Sequence, residues 1–262
     1  MHWTGPDSPR SREIPGSGET DFFAVIPARY ESSRFPGKPL ALIRGKPMFW
    51  HVYQRTMECP LIKQTWLATD DERILEKARK MDVPALMTSS DHASGTDRIL
   101  EAAEKLDLPS GSVIANVQGD EPALHPEMLS QLLEPFRRNG RIGVSTLARR
   151  ISEEEAQNPN TVKVVCSASG RALYFSRSPI PYPAGENPGY LGHIGLYAYT
   201  FEALREFSRL GPGPLERAEK LEQLRLLQAD MDILVKTTEY SSFGVDRPED
   251  IPRMEKILQE TE

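Results

Sequence analysis

Hydrophobic and polar positions alternate in a regular order along the first half of the chain. Short apolar runs rich in strand-forming residues are separated by longer segments in which apolar residues recur every three or four positions. The runs predict strands at 21–28, 64–70, 83–89, 112–120 and 142–148, and the periodic segments predict helices at 47–59, 71–81, 96–107 and 126–139. This alternation predicts an α/β fold with a mostly parallel central sheet flanked by helices on both faces.

The second half of the chain has a different pattern. Residues 161–177 predict two strands around the turn at 167–170, and a proline-rich loop follows them. The remaining segments predict a strand at 193–199, a helix at 200–210, one long helix at 214–230, a strand at 232–240 and a terminal helix at 247–260. We therefore expect one domain over 21–262, with the hairpin at 161–177 as a candidate insertion or small lobe outside the parallel sheet.

Composition and charge limit the classes of partner. The chain has 262 residues, of which 39% are hydrophobic and 27% charged, as in ordinary soluble proteins. A net charge of -6 argues against a general nucleic-acid or anionic-membrane surface, so any anion site must be local. Cys59 and Cys166 form no closely spaced pair, which argues against a disulfide scaffold and fits a reducing, cytoplasmic location.

Two further features concern membranes and the N-terminus. No apolar run approaches the roughly 20 residues that span a bilayer, so we expect no membrane insertion. Residues 1–20 are rich in glycine, proline, serine and charge, and predict a flexible N-terminal tail.

The segment PARYESSRFPGK, residues 27–38, places Arg29, Arg34 and Lys38 directly after the first predicted strand. Ligands of open α/β sheets bind beyond the carboxyl ends of the strands, and Gly37 permits close approach of the backbone. The segment is therefore a candidate triphosphate-binding loop. Taken alone, it is better explained as a solvated surface loop. It contains neither a Walker A motif nor a dinucleotide-binding fingerprint, so a dinucleotide cofactor is not supported.

Two acidic positions fit the same edge of the sheet. Asp120 follows the predicted strand at 112–120, and Asp246 precedes a proline-led helix. Each acid alone is explained as well or better by a turn or by a helix N-cap. Together with the cationic loop they predict a Mg²⁺ site, because Mg²⁺ commonly uses one or two carboxylates plus substrate phosphates.

Eight segments resemble CMP-Kdo synthetases, the 3-deoxy-manno-octulosonate cytidylyltransferases. In chain order they are PARYESSRFPGKPLALIRGKPM, SSDHASGTDRI, NVQGDEPAL, NPNTVKVV, ALYFSRSPIP, HIGLYAY, LEQLR and GVDRPEDI. The resemblance covers essentially residues 21–260. It implies a Rossmann-like nucleotidyltransferase fold whose small β-rich lobe at about 155–200 binds the sugar and forms a homodimer. It also implies that CTP and Kdo give CMP-Kdo and pyrophosphate with Mg²⁺, for lipopolysaccharide biosynthesis in the cytoplasm.

The resemblance also implies roles for individual residues. The nucleotide-binding residues would be Ala28, Arg29, Arg34, Lys38, Ser94, Arg98, Gln118 and Asp120. The residues that face the sugar acid would be Arg177, His193, Tyr197, Glu222 and Gln223. The catalytic residues would be Arg29, Lys38, Asp120 and Asp246, and the last two would hold Mg²⁺.

Simpler explanations remain for the residues on the sugar side. Taken alone, His193 is explained as a strand histidine with its hydrogen bonds satisfied, and Arg177 as an arginine that reaches water. Glu222 is explained as one member of a helical pair with Arg225. We expect Tyr197 and Tyr199 to lie on opposite faces of their strand.

Two positions depart from the family pattern, and the identity of the acceptor stays open. Gly192 stands where a basic residue often precedes the HIG segment, and Arg247 stands where threonine is usual. Kdo is the expected acceptor, with 8-amino-8-deoxy-Kdo or a sialic-acid-like acid as the alternative. A hypothesis of a different class is an inactive nucleotide-binding protein with the same fold.

Overall fold

The computed structural model describes residues 20–32, 34–92, 94–138 and 142–260. The tail predicted at 1–20 therefore lies outside the described residues, except for its last residue. The helices are α1 Met48–Met57, α2 Glu72–Arg79, α3 Gly95–Lys105, α4 Pro126–Arg138, α5 Glu153–Gln157, α6 Phe201–Arg209, α7 Pro214–Glu219, α8 Leu224–Gln228 and α9 Ile251–Glu260. Short 3₁₀ turns cover Lys38–Leu40 and Pro248–Asp250. No helix in these described ranges is both long and apolar enough to span a membrane.

Most of the strands form one mixed sheet. They are β1 Phe22–Ala28, β2 Leu42–Ile43, β3 Lys46–Pro47, β4 Ile62–Thr69, β5 Ala85–Met87, β6 Val113–Asn116, β7 Val144–Ile151, β8 Lys163–Cys166, β9 Ala172–Ser176, β10 Tyr190–Thr200 and β11 Ile233–Thr237. The order β11-β7-β10-β6-β1-β4-β5 has parallel pairs throughout, except that β10 is antiparallel to both β6 and β7. The predicted mostly parallel sheet is confirmed.

The central strand β1 is buried on both faces, as its continuous apolar run predicts. Ala24 and Ile26 belong to the apolar cluster under α1 and α4, whereas Phe23 and Val25 belong to the cluster under α3 and α6. Successive side chains of a strand point to opposite faces, so one strand contributes to both layers. These layers hold the carboxyl end of β1, and therefore the start of the cationic loop, in a fixed position.

The predicted hairpin at 161–177 is present as β8 and β9. The hairpin is attached to the main sheet, because Lys163 in β8 pairs with Gly192 in β10, and Arg171 bridges to Leu234 in β11. The role of residues 155–200 in sugar binding and dimerisation stays a prediction.

The predicted long helix at 214–230 is wrong. The chain forms two short helices, α7 and α8, because Lys220 adopts a left-handed conformation with φ of 56°. The break allows Arg225 to turn back onto Glu216, with nitrogen–oxygen distances of 2.8 and 2.7 Å. The interpretation that Glu222 pairs with Arg225 along one helix is therefore also wrong, since Arg225 uses its bidentate geometry on Glu216.

Candidate active site

Lys38, Asp120 and Asp246 come from three separate loops and meet at one edge of the sheet. The Lys38 ammonium lies 2.7 Å from Asp120 Oδ2 and 3.7 Å from Asp246 Oδ1. The lysine side chain is 16% exposed, whereas the two acids are 33% and 51% exposed. A mostly covered cation thus joins two carboxylates that remain open to solvent, as the positions of these residues after strand ends predict.

Backbone contacts hold the three loops together. Lys38 Nζ also donates to the carbonyl of Val245 at 3.0 Å, and the Val245 amide donates to the carbonyl of Asp120 at 2.9 Å. Gly119 is required where the loop after β6 passes the end of β1, because a Cβ there would lie 2.7 Å from the Pro27 carbonyl oxygen. These contacts fix the relative positions of Asp120 and Asp246 before any ligand arrives.

Asp246 does not cap the helix that follows it. Asp250 accepts the backbone hydrogen bonds of both Asp246 and Arg247, each at 2.9 Å. The carboxylate of Asp246 instead pairs with Arg34 at 2.9 Å, in addition to its contact with Lys38. The N-cap interpretation of Asp246 is therefore wrong, and its side chain faces the cationic loop.

A third acid, next to the two of the cluster, had no role assigned from the sequence. Glu121 accepts a hydrogen bond from the Ser242 hydroxyl at 2.6 Å, which links the loops that carry Asp120 and Asp246. Burial raises the pKa of Glu121 to about 7, the Ser242 hydrogen bond opposes that rise, and the Asp120 charge adds to it. The adjacency of Glu121 to Asp120 is the only sequence signal for it, since Ser242 lies over a hundred residues away.

The arginines on the nucleotide side differ in environment. Arg98 is fully buried and donates to Asp70 at 2.6 Å and to the Thr88 hydroxyl. Burial lowers the pKa of Arg98, and Asp70 opposes that change. Arg29 is half-buried and makes no ion pair with any residue that the structure describes, so its guanidinium can receive an anion.

Ala28, Ser94 and Gln118 lie at element boundaries near the same edge. Ala28 is buried at the end of β1, and Ser94 caps α3 by accepting from the Asp97 amide at 3.1 Å. The side-chain amide of Gln118 donates from Nε2 to the carbonyl of Gly195 at 2.9 Å. These positions agree with a nucleotide site beyond the strand ends, and the individual roles stay predictions.

Arg177 is committed to backbone carbonyls. Its guanidinium donates to Glu219 at 2.7 Å, to Pro159 at 3.0 Å and to Lys220 at 3.3 Å. These contacts replace the water-exposed arginine that the sequence alone predicts. An acid substrate would have to exchange with at least one carbonyl to bind this guanidinium.

His193 and Tyr197, two of the predicted sugar contacts, lie on β10 beside other aromatic rings. His193 Nε2 lies 3.0 Å from the Thr146 hydroxyl, and its ring lies 5.4 Å from the ring of Tyr197. The Tyr197 and Tyr199 rings stack at 5.7 Å, so the expectation of opposite faces is wrong. Residues two positions apart on a strand share a face.

Glu222 and Gln223 lie in the turn before α8. Glu222 Oε2 accepts from the Thr96 hydroxyl at 3.2 Å, and Gln223 is 8% exposed. Burial raises the pKa of Glu222, with the Ser94 and Thr96 hydroxyls and Arg225 opposing that rise. The contact with Thr96 brings a predicted sugar residue against the start of α3, next to the predicted nucleotide-binding residues Ser94 and Arg98.

Comparison with known families identifies the class of the chain. The family model described as cytidylyltransferase matches residues 23–233. The chain belongs to the cytidylyltransferase family. A 3-deoxy-manno-octulosonate cytidylyltransferase of Oleidesulfovibrio alaskensis is 54% identical over 245 residues, covering 93% of this chain and 98% of the relative. The protein of the same name from Escherichia coli is 43% identical over 235 residues, covering 89% and 94%.

A solved structure agrees with this assignment to the cytidylyltransferases. The structure of CMP:2-keto-3-deoxy-manno-octonic acid synthetase complexed with CTP matches with a TM-score of 0.88 and 42% identity, covering 93% of this chain and 100% of that chain. The resemblance to CMP-Kdo synthetases and the Rossmann-like nucleotidyltransferase fold are thereby confirmed. Both rest on almost the whole chain rather than on one motif.

The departure at Gly192 has a local cause in this cytidylyltransferase. A Cβ at position 192 would lie 2.7 Å from Ile151 Cγ2 and 3.4 Å from Thr161 Cγ2. The glycine therefore permits close packing of β10 against the end of β7 and the segment before β8. A basic side chain at this position would require Ile151 to move.

The partly buried imidazole of His193 gives this cytidylyltransferase a pH-dependent stability. Burial lowers the pKa of His193 to about 3, from an ordinary value of 6.5. The unfolded chain gains a proton below pH 6.5 that the folded chain does not bind, so stability falls as pH drops from 6.5 towards about 3. Between about pH 7 and 5, the wild type is expected to lose unfolding free energy that a His193→Gln variant keeps. We expect this difference between the two proteins to be about 1 to 2 kcal/mol.

Urea unfolding at the two pH values measures this difference. A His51→Gln variant is the control, since the His51 imidazole is also partly buried but contacts the Ile43 carbonyl of β2, which pairs only with β3 among the described strands. Identical pH dependence of the His193→Gln variant and wild type would contradict the argument.

Proposed function

We propose that this protein transfers the cytidylyl group of CTP to Kdo and releases pyrophosphate. The observation that carries the proposal is the cluster of Lys38, Asp120 and Asp246, with Arg34 paired to Asp246. Arg29 directly follows β1 at the same carboxyl edge of the sheet. Such an arrangement combines cations for a triphosphate with carboxylates for a metal. Kdo as acceptor is supported by relatives of 43–54% identity that carry the name 3-deoxy-manno-octulosonate cytidylyltransferase.

The donor set fits Mg²⁺. Asp120 and Asp246 each present a carboxylate to the Lys38 ammonium, and both are open to solvent. No cluster of three or more histidine, cysteine, aspartate or glutamate ligands occurs among the residues that the structure describes. Two carboxylates that leave further positions for phosphate oxygens and water are a common Mg²⁺ arrangement. We infer that Asp120 and Asp246 hold Mg²⁺, which when bound would neutralise phosphate charge and polarise the reacting phosphate.

The reaction joins the anomeric oxygen of Kdo to the α-phosphorus of CTP and breaks the bond to pyrophosphate. Phosphoryl chemistry of this type depends mainly on positioning and on stabilisation of charge. Arg29 and Lys38 would donate to the triphosphate and stabilise the charge that develops on the leaving pyrophosphate. Arg34, which is 60% exposed and paired with Asp246, would make a supporting contact.

We propose that the acceptor lies against Arg177, His193, Tyr197, Glu222 and Gln223. Thr96 joins Glu222 to the first turn of α3, which supports a sugar site next to the nucleotide site. We also propose that the protein acts in the cytoplasm in lipopolysaccharide biosynthesis, as a homodimer formed through residues 155–200. Exposure of Leu173 at 61% and of Tyr182 at 86% supports an interface on that lobe.

The proposed function is tested by pyrophosphate release with CTP and Mg²⁺ and a panel of acceptors. We expect release with Kdo, and release with 8-amino-8-deoxy-Kdo or a sialic acid at a lower kcat/KM. A higher kcat/KM with one of the other acids than with Kdo would show that this acid is the preferred acceptor. Tight CTP binding without pyrophosphate release with any acid would favour the inactive nucleotide-binding hypothesis instead.

A further inference from the structure

Arg73 lies on α2, outside the residues assigned above to the nucleotide, the metal or the sugar. The carbon at the centre of its guanidinium lies 3.3 Å from the centroid of the Tyr30 ring. Tyr30 belongs to the cationic loop, four residues before Arg34 and eight before Lys38. The stacking therefore connects a regular helix to the loop that carries the phosphate-binding cations.

The guanidinium is fixed in place by the residue that caps its own helix. Asp71 accepts from Arg73 Nε at 2.9 Å and from its terminal nitrogen at 2.6 Å, and it also accepts from the Arg73 amide at 2.9 Å. The Asp71 amide in turn donates to the hydroxyl of Thr69, the last residue of β4, at 3.3 Å. A bidentate pair of this kind holds the plane of the guanidinium as well as its position.

The cationic loop itself also packs against the tyrosine ring. Gly37 has a φ of 71°, and a Cβ at this position would lie 3.2 Å from the Tyr30 ring. The Gly37 amide donates to the Tyr30 carbonyl at 2.8 Å, and the next residue is Lys38. The ring therefore contacts Arg73 and packs closely against Gly37, the residue directly before Lys38, whose side chain reaches Asp120.

We propose that Arg73 and Tyr30 are positioning residues that brace the triphosphate loop, so that Arg29 and Lys38 are preorganised for CTP. This inference rests on the proposed function for its ligand, but the brace itself is a property of the apo protein. Preorganisation lowers the cost of ordering a loop on binding, so loss of the brace weakens CTP binding without removing any direct contact.

Binding of CTP is measured by calorimetry in wild type and in Arg73→Gln, Tyr30→Leu and double variants. Each single variant is expected to raise the Kd and the KM for CTP by about two- to fivefold, the range for loss of an exposed cation–π contact, because the Arg73 side chain is 60% exposed. The KM for the sugar acid is expected to stay unchanged. Tyr30→Phe keeps the ring face and is expected to bind CTP like wild type.

A double-mutant cycle separates the brace from a direct contact. If the two residues act as one unit, the Kd of the double variant for CTP is no higher than that of the single variant with the higher Kd. Arg79→Gln is the matched control, since Arg79 lies on the same helix, is 65% exposed and pairs with Glu72 at 3.6 Å. Additive effects, or a loss with Arg73→Gln that Tyr30→Leu does not reproduce, would show that Arg73 contacts the nucleotide itself and would overturn the proposal.

Hydrogen exchange gives a readout that does not depend on CTP. The Gly37 amide is expected to exchange faster in Arg73→Gln and Tyr30→Leu than in wild type, Tyr30→Phe or Arg79→Gln, with the urea midpoint unchanged. Unchanged exchange in both variants would overturn the brace whatever the ligand. If the wild-type protein binds no CTP, the proposed function is overturned instead. The exchange rates of the Gly37 amide then test the brace by themselves.

Discussion

A Lys38→Met variant is expected to lose cytidylyl transfer by a factor of about 10² to 10³ in kcat, the usual effect of removing one preorganised donor to developing charge. In the wild type, the Nζ of Lys38 contacts Asp120, Asp246 and the Val245 carbonyl. Methionine keeps the length and most of the apolar stem, so the change removes the charge and the donors with little change in volume. Pyrophosphate release at saturating CTP, Mg²⁺ and Kdo measures the loss.

The variant is expected to stay folded. The two acids that Lys38 leaves behind are 33% and 51% exposed, so water and salt screen their repulsion. Lys63→Met is the matched control, because Lys63 is 56% exposed and pairs with Asp21 at the amino end of β4, the opposite edge of the sheet. Near-wild-type turnover of Lys38→Met at saturating Mg²⁺ would remove Lys38 from the catalytic residues.

The meeting of Lys38, Asp120 and Asp246 could be predicted because it follows from sheet topology. Each residue comes shortly after an apolar run, and parallel strands bring their carboxyl ends to one edge. The eight ordered segments then selected the family. Burial of β1 on both faces was predictable for the same reason, since a parallel strand covered by two helical layers needs a continuous apolar sequence.

Other features depend on contacts between distant residues and leave no local signal. The periodicity of 214–230 is that of one helix, yet the Arg225–Glu216 pair and the left-handed Lys220 require a break. Arg177 resembles an ordinary strand-terminal arginine, but its three partners are carbonyls that only the fold brings together. Tertiary contacts of this kind override local propensity.

A Lys163→Met variant is expected to lose at least about 3 kcal/mol of unfolding free energy. Lys163 is completely buried, and its ammonium donates to the carbonyls of Asn158 at 3.0 Å, Thr161 at 2.6 Å and Arg177 at 2.6 Å. Burial lowers the pKa of this lysine, and Glu219 opposes that change. Methionine fills the space of the stem but leaves three carbonyls without their charged donor.

Urea unfolding at neutral pH tests this expectation. Lys236→Met is the control: Lys236 lies on β11, is 43% exposed and approaches Glu134 only to 4.0 Å, so its loss should change stability by less than about 1 kcal/mol. Since Lys163 ties the carbonyl of Arg177 to the segment before β8, the variant is also expected to raise the KM for the sugar acid more than that for CTP. An unfolding midpoint equal to wild type would mean that water replaces the ammonium at these carbonyls, and that the buried cation does not hold the hairpin in place.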